Sequence, residues 1–259
     1  MNFLKKTLAV SILTGSLTSL SFAIPLIDVK AGIGYQILSP SGYVNYDGNN
    51  IDVEKVLNWD NSKSIYGFVE LGIPILPNIR IGYLPTSYEG TGTINNSISL
   101  EFGDITLNDR VYSKFDVNQI DIIAYYGLPI PIIKPKLGLA VKVLDGNIYV
   151  KSSTTQLEEN ADITLPVPLV YAGFSLEMPV IPVGLDVDGL AITNGKSYLL
   201  DIKGLLKYNF IGIPLIGKAY IGGGYRYQRF RLKDIDIDGK NLNTDLKFGN
   251  FLVETGIQF

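Results

Sequence analysis

The sequence predicts an all-β fold, an antiparallel transmembrane β-barrel of about ten strands, within a range of eight to twelve. Apolar and polar residues alternate along many segments, as in strands with two different faces. Mean hydropathy is positive, +0.22, yet prolines interrupt the longest uncharged runs, 122–133 and 163–176, which excludes membrane-spanning helices there. Short apolar turns alternate with long polar connections. Together these features indicate strands with one face in lipid.

Residues 1–23 are predicted to be a signal peptide. Lys5 and Lys6 precede an uncharged stretch, 7–20, and Ser21-Phe22-Ala23 provides a small-x-small cleavage pattern. An uncleaved hydrophobic anchor is the competing interpretation, but the segment is short, rich in Ser and Thr, and lacks stop-transfer charges. The expected organisation is a signal peptide, 1–23, and a barrel domain, 24–259, exported through the inner membrane to the outer membrane.

Ten strands are predicted, joined by two kinds of connection. The predicted strands are 26–37, 63–72, 79–88, 114–126, 136–151, 165–177, 181–192, 197–209, 218–232 and 245–259. Short turns built on proline or glycine lie at 72–78, 127–131, 178–182 and 211–217, and longer polar connections lie near 38–62, 89–113, 152–163, 193–196 and 233–243. Such asymmetry predicts short periplasmic turns and long extracellular loops. Two alternatives stay open, a hairpin turn at Asp145-Gly146 and an extra ribbon within 93–107.

Charged residues fall on the less apolar face of the predicted strands. A charge in hydrocarbon costs about 2–4 kcal/mol at the midplane, so these side chains are expected to point into the lumen. Acids and bases are nearly balanced, which indicates an ion-paired interior. A soluble β-sandwich would show the same alternation, but the leader and the terminal Phe favour a barrel. The predicted lumen charges are Asp28, Lys30, Glu70, Arg80, Lys142, Glu177, Asp186, Asp188, Asp201, Lys203, Arg226 and Glu254.

Aromatic residues lie near the strand ends, on or next to the apolar face. Rings of this kind favour the membrane–water boundary, although packing in a core explains them equally well. They are Tyr35, Tyr83, Tyr126, Phe174, Tyr208, Tyr225, Phe251 and Phe259.

The last strand carries a second pattern. Phe251, Val253, Ile257 and Phe259 alternate on one face with Gly256 beside them. This strand resembles the recognition signal that the β-barrel assembly machinery reads, which implies that machinery as a partner during insertion. In addition, Ile33-Gly34-Tyr35 and the Gly222-Gly223-Gly224 strand resemble a small, poorly characterised family of outer-membrane barrels named for a Gly-Gly pair. That resemblance implies location and fold but no activity.

The chemistry available to the chain is narrow. It has no histidine and no cysteine, so Ser–His triads, His-liganded metals and thiolate nucleophiles are excluded. Outer-membrane phospholipases, lipid A deacylases, lipid A palmitoyltransferases and omptin proteases resemble one another in using an essential histidine. We therefore expect no enzyme and no cofactor, although a Ser–Lys dyad or a carboxylate pair stays chemically open. With 22 basic and 25 acidic residues, net −3, nucleic acid is not an expected partner.

A segment near the C-terminus has the spacing of a calcium loop. Asp234, Asp236, Asp238, Gly239 and Asp245 match loop positions 1, 3, 5, 6 and 12. Position 12 is Asp instead of Glu, and strands are predicted on both sides instead of helices. A hairpin with an Asp-Gly turn is therefore favoured, and divalent-cation contact with lipopolysaccharide at the outer rim is the weaker alternative.

Two classes of function follow. The first is a structural or surface-interaction barrel whose lumen is largely filled with side chains. Its outer loops are expected to face the outside, especially 38–62 with Trp59, Tyr43 and Tyr46. Outer-membrane lipid and lipopolysaccharide are the expected partners there. The second is a narrow, porin-like passive channel. Ten strands favour a filled interior, since water-filled porins have about 16–18. Many glycines on the lumen side favour open space, unless they serve strand curvature.

Overall fold

The computed structural model describes residues 27–46, 49–93, 100–102, 105–107, 110–128, 130, 132–153, 158–210, 217–237 and 240–259. The predicted signal peptide, 1–23, lies outside these residues. Within them, no helix is long and apolar enough to cross a membrane.

Within the described residues, thirteen strands follow one another along the chain. They are β1 (Asp28–Tyr46), β2 (Asn49–Asp52), β3 (Ser62–Gly72), β4 (Asn78–Thr93), β5 (Leu100–Phe102), β6 (Ile105–Leu107), β7 (Arg110–Gly127), β8 (Ile133–Ser152), β9 (Glu158–Glu177), β10 (Val183–Thr193), β11 (Tyr198–Asn209), β12 (Lys218–Ile237) and β13 (Lys240–Gln258). Ten of them form one antiparallel barrel in chain order, which β13 closes by pairing with β1. β2 extends the edge of β1, and β5 pairs with β6 alone. The predicted fold class is confirmed.

The strands extend further at one end of the barrel than the sequence predicts. Every predicted strand is present, but β1 continues to Tyr46, β4 to Thr93 and β12 to Ile237. The prediction that 38–62 is entirely loop is therefore wrong, because 38–46 stay paired with β13 beyond the apolar belt. We call this the loop end and the opposite one the short-turn end.

The two alternatives left open by the sequence are resolved differently. The proposed turn at Asp145-Gly146 is wrong, because both residues lie within β8 and pair with β7 and β9. A Cβ at Gly146 would overlap the carbonyl oxygen of Asp116, so glycine is needed there for close backbone approach instead of a turn. The extra ribbon within 93–107 is present as β5 and β6.

The outer surface of the barrel is an apolar belt. Alternate residues of every long strand point outward, and the most exposed are large and apolar, such as Leu139 at 68% and Phe251 at 70% exposure. Seven of the eight predicted boundary aromatics are exposed on this surface, and Phe259 is half-buried. Because such a surface is unfavourable in water, we conclude that the belt contacts lipid.

A charge placed in the belt should destabilise the barrel. We expect Leu139→Arg to lower the free energy of unfolding by about 2–4 kcal/mol, the cost of Arg facing hydrocarbon near the midplane. The measurement is urea unfolding in phospholipid vesicles. Asn147→Arg, on the same strand above the belt, is the matched control and should change stability little. Equal effects of both substitutions would contradict a lipid-facing belt.

Candidate functional site: the lumen

The lumen is filled with side chains in three layers. The layer nearest the short turns, here the lower network, consists of Lys30, Glu70, Arg80, Lys136, Asp186, Asp188 and Lys207. Above it lies the central network of Asp121, Lys142, Asp201 and Arg226. At the loop end lies the aromatic cap, formed by Leu38, Val53, Trp59, Tyr88, Phe115, Phe230 and Phe248. Each layer draws residues from several strands.

The lower network joins walls that are distant along the sheet. Lys30 on β1 and Lys207 on β11 both reach Asp186 on β10, at Nζ–Oδ2 distances of 3.4 and 2.7 Å. Arg80 bridges two carboxylates, with Nε 2.6 Å from Glu70 Oε2 and Nη1 3.2 Å from Asp188 Oδ2. Tyr125 donates to Glu70 and Tyr171 donates to Asp188. These hydrogen bonds satisfy the second oxygen of Glu70 and of Asp188, as buried charges require.

The central network crosses the whole lumen. Lys142 is fully buried, and its Nζ lies 2.6 Å from Asp121 Oδ1 and 3.1 Å from Asp201 Oδ2. Arg226 on β12 forks onto Asp201, with Nε–Oδ1 and Nη2–Oδ2 distances of 2.7 and 2.5 Å, and its Nη2 reaches Asp121 at 3.3 Å. Because β7 and β12 stand on opposite sides of the ten-strand ring, Arg226 and Asp121 close it across its diameter. The four charges sum to zero.

Two glutamines extend the central network toward the loop end. Gln119 on β7 and Gln228 on β12 hydrogen-bond to each other across the lumen, with Gln228 Nε2 2.8 Å from Gln119 Oε1. Gln119 also accepts from Lys142 and donates to Thr86, while Gln228 donates to Asp201. The network is therefore continuous in height as well as across the barrel.

Glu254 anchors the side of the lumen formed by β13. Its Oε2 accepts hydrogen bonds from Tyr66 at 2.8 Å and Lys203 at 3.0 Å, and its Oε1 accepts one from Tyr220 at 2.8 Å. The carboxylate is almost fully buried. Its charge is balanced by Lys203 and distributed over three donors, which satisfies its desolvated oxygens.

Aromatic rings fill the space that the lumen glycines leave. A Cβ on Gly32 would lie 2.5 Å from Phe68 Cε1, and one on Gly256 would lie 2.6 Å from Tyr220 Cε1. Gly34 is likewise covered by the ring of Tyr66. These glycines therefore allow large rings to lie against the wall, and they do not open a passage.

A small space lies between the lower and central networks. It measures about 70 Å³ and is lined by charged and aromatic groups including Arg80, Asp121, Tyr171, Asp188 and Arg226. A space of this size holds a few water molecules at most, since a water occupies about 30 Å³ of liquid.

The aromatic cap closes the loop end of the lumen. Tyr88 stacks on Phe248 and on Trp59, with centroid separations of 5.3 and 5.9 Å. Trp59 Nε1 donates to Ser113 Oγ at 2.8 Å, so the buried indole N–H is satisfied. The prediction that Trp59 faces the outside is therefore wrong. Apolar burial and stacking draw the ring into the lumen mouth instead.

The segment that carries Trp59 folds inward because β4 accommodates it. Gly90 and Gly92 on β4 lie directly against this segment, and a Cβ on Gly92 would overlap the carbonyl oxygen of Val56. Asn58 Nδ2 donates to the carbonyl of Thr91 at 3.0 Å, and the amide of Asp60 donates to Glu89 at 3.1 Å. Two glycines and two backbone contacts thus fix the segment as a plug.

The structure places ten of the twelve predicted lumen charges inside the barrel. The other two lie at the short-turn mouth, where exposed Asp28 accepts a hydrogen bond from Gln258 and half-buried Glu177 pairs with Lys134. Sequence reasoning missed Asp121, Lys136 and Lys207. Strand parity could have found them, since each lies on the same face as a predicted lumen charge of its own or a neighbouring strand.

The terminal-strand residues take two different positions. Phe251, Val253 and Ile257 point outward and are exposed, while Gly256 is buried on the lumen side. The amide of Phe259 donates to the carbonyl of Val29 at 2.9 Å, which completes the closure of the barrel. The surface that resembles an assembly signal therefore faces the membrane.

The calcium-like segment lies in the β12–β13 hairpin at the loop end. Ile237 pairs with Lys240, and Asp238 and Gly239 lie outside the described residues, as does the side chain of Asp236. Asp234 is engaged by Lys196, with Nζ–Oδ2 at 2.9 Å, and Asp245 by Arg229 at 2.6 Å. In the described part of the chain no cluster of three or more possible metal-ligating side chains is present. Calcium binding stays a hypothesis.

Comparison with known proteins identifies the fold. The outer-membrane protease OmpT of Escherichia coli matches with a TM-score of 0.53 at 10% sequence identity, over 92% of this chain and 99% of that one. The chain has the fold of an outer-membrane β-barrel. Other matches score lower. Ail of Yersinia pestis has a TM-score of 0.37 at 11% sequence identity, over 90% of this chain and 99% of that one. Neisserial surface protein A has a TM-score of 0.32 at 12% sequence identity, over 90% of this chain and 97% of that one. No protein-family model and no curated protein matches the sequence.

Removal of the central cation should strongly destabilise the barrel. We expect Lys142→Met to cost about 3–5 kcal/mol, because two buried carboxylates would share the single charge of Arg226. The double variant Lys142→Met/Asp121→Asn restores neutrality and should recover a large part of the loss. Urea unfolding in vesicles measures both. A double variant no more stable than Lys142→Met would contradict charge balance as the cause.

A side chain at Gly92 should displace the plug. We expect Gly92→Val to raise the exposure of Trp59, the single tryptophan, because the new methyl groups would occupy the position of the Val56 carbonyl. A red shift of tryptophan emission and faster acrylamide quenching report this change. Gly223→Val on β12, where a Cβ meets nothing within 4 Å, is the control and should leave the emission unchanged.

Proposed function

We propose that this protein is an integral outer-membrane barrel with a closed lumen and a structural or surface-interaction role, without enzymatic or channel activity. The observation that carries the proposal is the central network, in which Arg226, Lys142, Asp121 and Asp201 join opposite walls of the barrel. In the central network every charge is paired with an opposite charge. This cross-section of the lumen therefore provides neither an open path nor an unpaired charge that could bind a solute. We therefore assign the function to the outer surfaces of the barrel.

The absence of histidine and cysteine supports a non-enzymatic role. The carboxylates nearest to one another, Asp121 and Asp201, are both bound to Lys142 and Arg226 and are buried away from either end. Neither carboxylate is placed to meet a substrate. We propose no cofactor, and the net negative charge gives no basis for nucleic-acid binding.

The expected partners are the outer-membrane lipid around the belt, lipopolysaccharide above it and the assembly machinery during insertion. Just above the belt the outward surface becomes charged. Asp116, Asp145 and Asp162 surround an open groove on β7, β8 and β9, whereas Lys247 lies beside Tyr225 and Tyr227 on β12 and β13. Cations at this height suit lipid phosphates, and the outward face of β13 suits recognition during insertion.

A narrow passive channel is the alternative, and the 70 Å³ space between the lower and central networks is the observation in its favour. For conduction, that space would have to connect to both ends through movement of the aromatic cap and the lower network. The rings that lie on Gly32, Gly34 and Gly256 leave little room for such movement.

Planar-bilayer recording distinguishes the two functions. We expect refolded protein, shown to be folded by heat-dependent gel mobility, to give no discrete current steps. Gly92→Val should also be silent, because the central network still closes the barrel below a displaced cap. Reproducible steps from the natural sequence, with an amplitude that changes in Lys142→Met/Asp121→Asn, would establish the channel instead.

A further inference from the structure

The four short turns share a composition that is unusual for a rim facing water. Residues 73–77, 128–133, 178–182 and 210–217 contain no charged residue. The residues of these turns that the structure describes, 73–77, 128, 130, 132–133, 178–182, 210 and 217, are here called the apolar rim. Each turn instead repeats Ile, Leu, Val, Met or Phe beside proline. Turns in water are ordinarily polar, because Asn, Asp and Ser serve the same backbone conformations. The composition therefore needs a cause other than turn geometry.

The apolar side chains of the rim point away from the protein. Among the described residues, Ile75 is 95% exposed and Val180 is 92% exposed. The rim continues through further exposed side chains in all four turns: Ile73, Leu76, Leu128, Ile130, Ile132, Ile133, Met178, Ile181 and Phe210. An exposed apolar surface that runs around a whole end of a protein marks an interaction site.

Backbone geometry strengthens the point at two positions. Ile75 and Ile132 both have φ of 75°, a region that glycine and asparagine enter easily and β-branched residues rarely adopt. A polar or glycine residue would relieve the strain at either position. The chain places isoleucine at both, so the apolar side chain itself is what these turns provide.

The height of the belt indicates what covers the rim. Along β3 the outward apolar residues run from Ile65 to Leu71, which spans about 15 Å of barrel height at a rise of about 3.3 Å per residue and a tilt of about 40°. Lys63 follows on the loop side. The apolar band of outer-membrane barrels is about 25 Å tall. The outward apolar residues of β3 thus cover less height than the hydrocarbon, and the turn 73–77 supplies the missing apolar part.

We propose that the apolar rim is immersed in the lipid leaflet at the short-turn end, so that the four turns are membrane anchors and do not stand in the periplasm. The rim is continuous with the lipid-facing belt, because Leu71 and Tyr126 lead directly into 73–77 and 128–133. Polar groups stay on the inside of the same rim, where Lys134 pairs with Glu177 at 3.3 Å around the lumen mouth. The barrel therefore presents lipid outside and water inside at the same height.

Spin labels measure this immersion directly, since the chain has no cysteine and each single substitution accepts one label. The variants are Val180→Cys and Ile75→Cys in vesicles of phosphatidylethanolamine and phosphatidylglycerol. Leu139→Cys in the belt and Asp162→Cys at the loop end are the references. We expect the rim labels to collide with oxygen more often than with a nickel chelate, as the Leu139 label does.

The other outcomes overturn the proposal. Rim labels that meet the nickel chelate as freely as the Asp162 label would place the turns in water, available to a periplasmic protein. Labels shielded from both reagents would mean that protein covers the rim, and the dependence of shielding on protein-to-lipid ratio would identify a second copy. These results do not depend on whether the lumen conducts.

A pair of matched variants tests whether the anchors matter. We expect Ile75→Asp/Val180→Asp to reduce the folded fraction in vesicles, read by heat-dependent gel mobility, while folding in detergent micelles is unchanged. Ile75→Leu/Val180→Leu keeps apolar character and should fold in vesicles like the natural sequence. Equal folding of the two double variants in vesicles would overturn the proposal.

Discussion

Closure of the backbone ladder is the constraint on which this structure depends. Hydrocarbon offers no hydrogen bonds, so every amide and carbonyl at membrane depth must find a partner within the protein. β1 and β13 meet this requirement by pairing from Lys30 opposite Gln258 to Tyr46 opposite Leu242, which leaves no free strand edge in the barrel. Once the sheet closes, the strand period of two assigns alternate residues to lipid and to the interior. The outer face must then be apolar, and the inner face must fill the interior and pair its charges.

The interior condition explains the ion pairs. Ten strands enclose a space narrow enough for side chains to fill, and charge in such a space must be paired. The central network meets the condition with two cations and two carboxylates, and the tyrosines on Glu70, Asp188 and Glu254 supply the remaining hydrogen bonds. Aromatic rings occupy the volume beside the glycines. Charge balance and packing thus fill the interior together, and the inward plug with Trp59 covers its loop end.

Much of this follows from the sequence because alternation is a local signal. Lys142, Asp201 and Arg226 each stand among outward apolar residues, so the face that carries the charge is clear. Asp121 is harder to assign, because it lies within Ile120-Asp121-Ile122-Ile123, where both faces of its own strand are apolar. Its face is given only by the neighbouring strand, where Lys142 lies opposite it. The inward fold of Trp59 depends on Gly90 and Gly92, more than 30 residues away, and no local pattern reports such a contact. Strand ends were placed too early because pairing continues beyond the apolar belt.

The most direct test of a closed lumen concerns the ammonium group of Lys142. Nitrogen-15 NMR of lysine side chains in lipid nanodiscs reports whether that group exchanges its protons with water. A desolvated ammonium held between Asp121 and Asp201 should give a slowly exchanging signal that disappears in Lys142→Met. Fast exchange of every lysine in the folded protein would show a water-filled lumen and contradict the closed barrel.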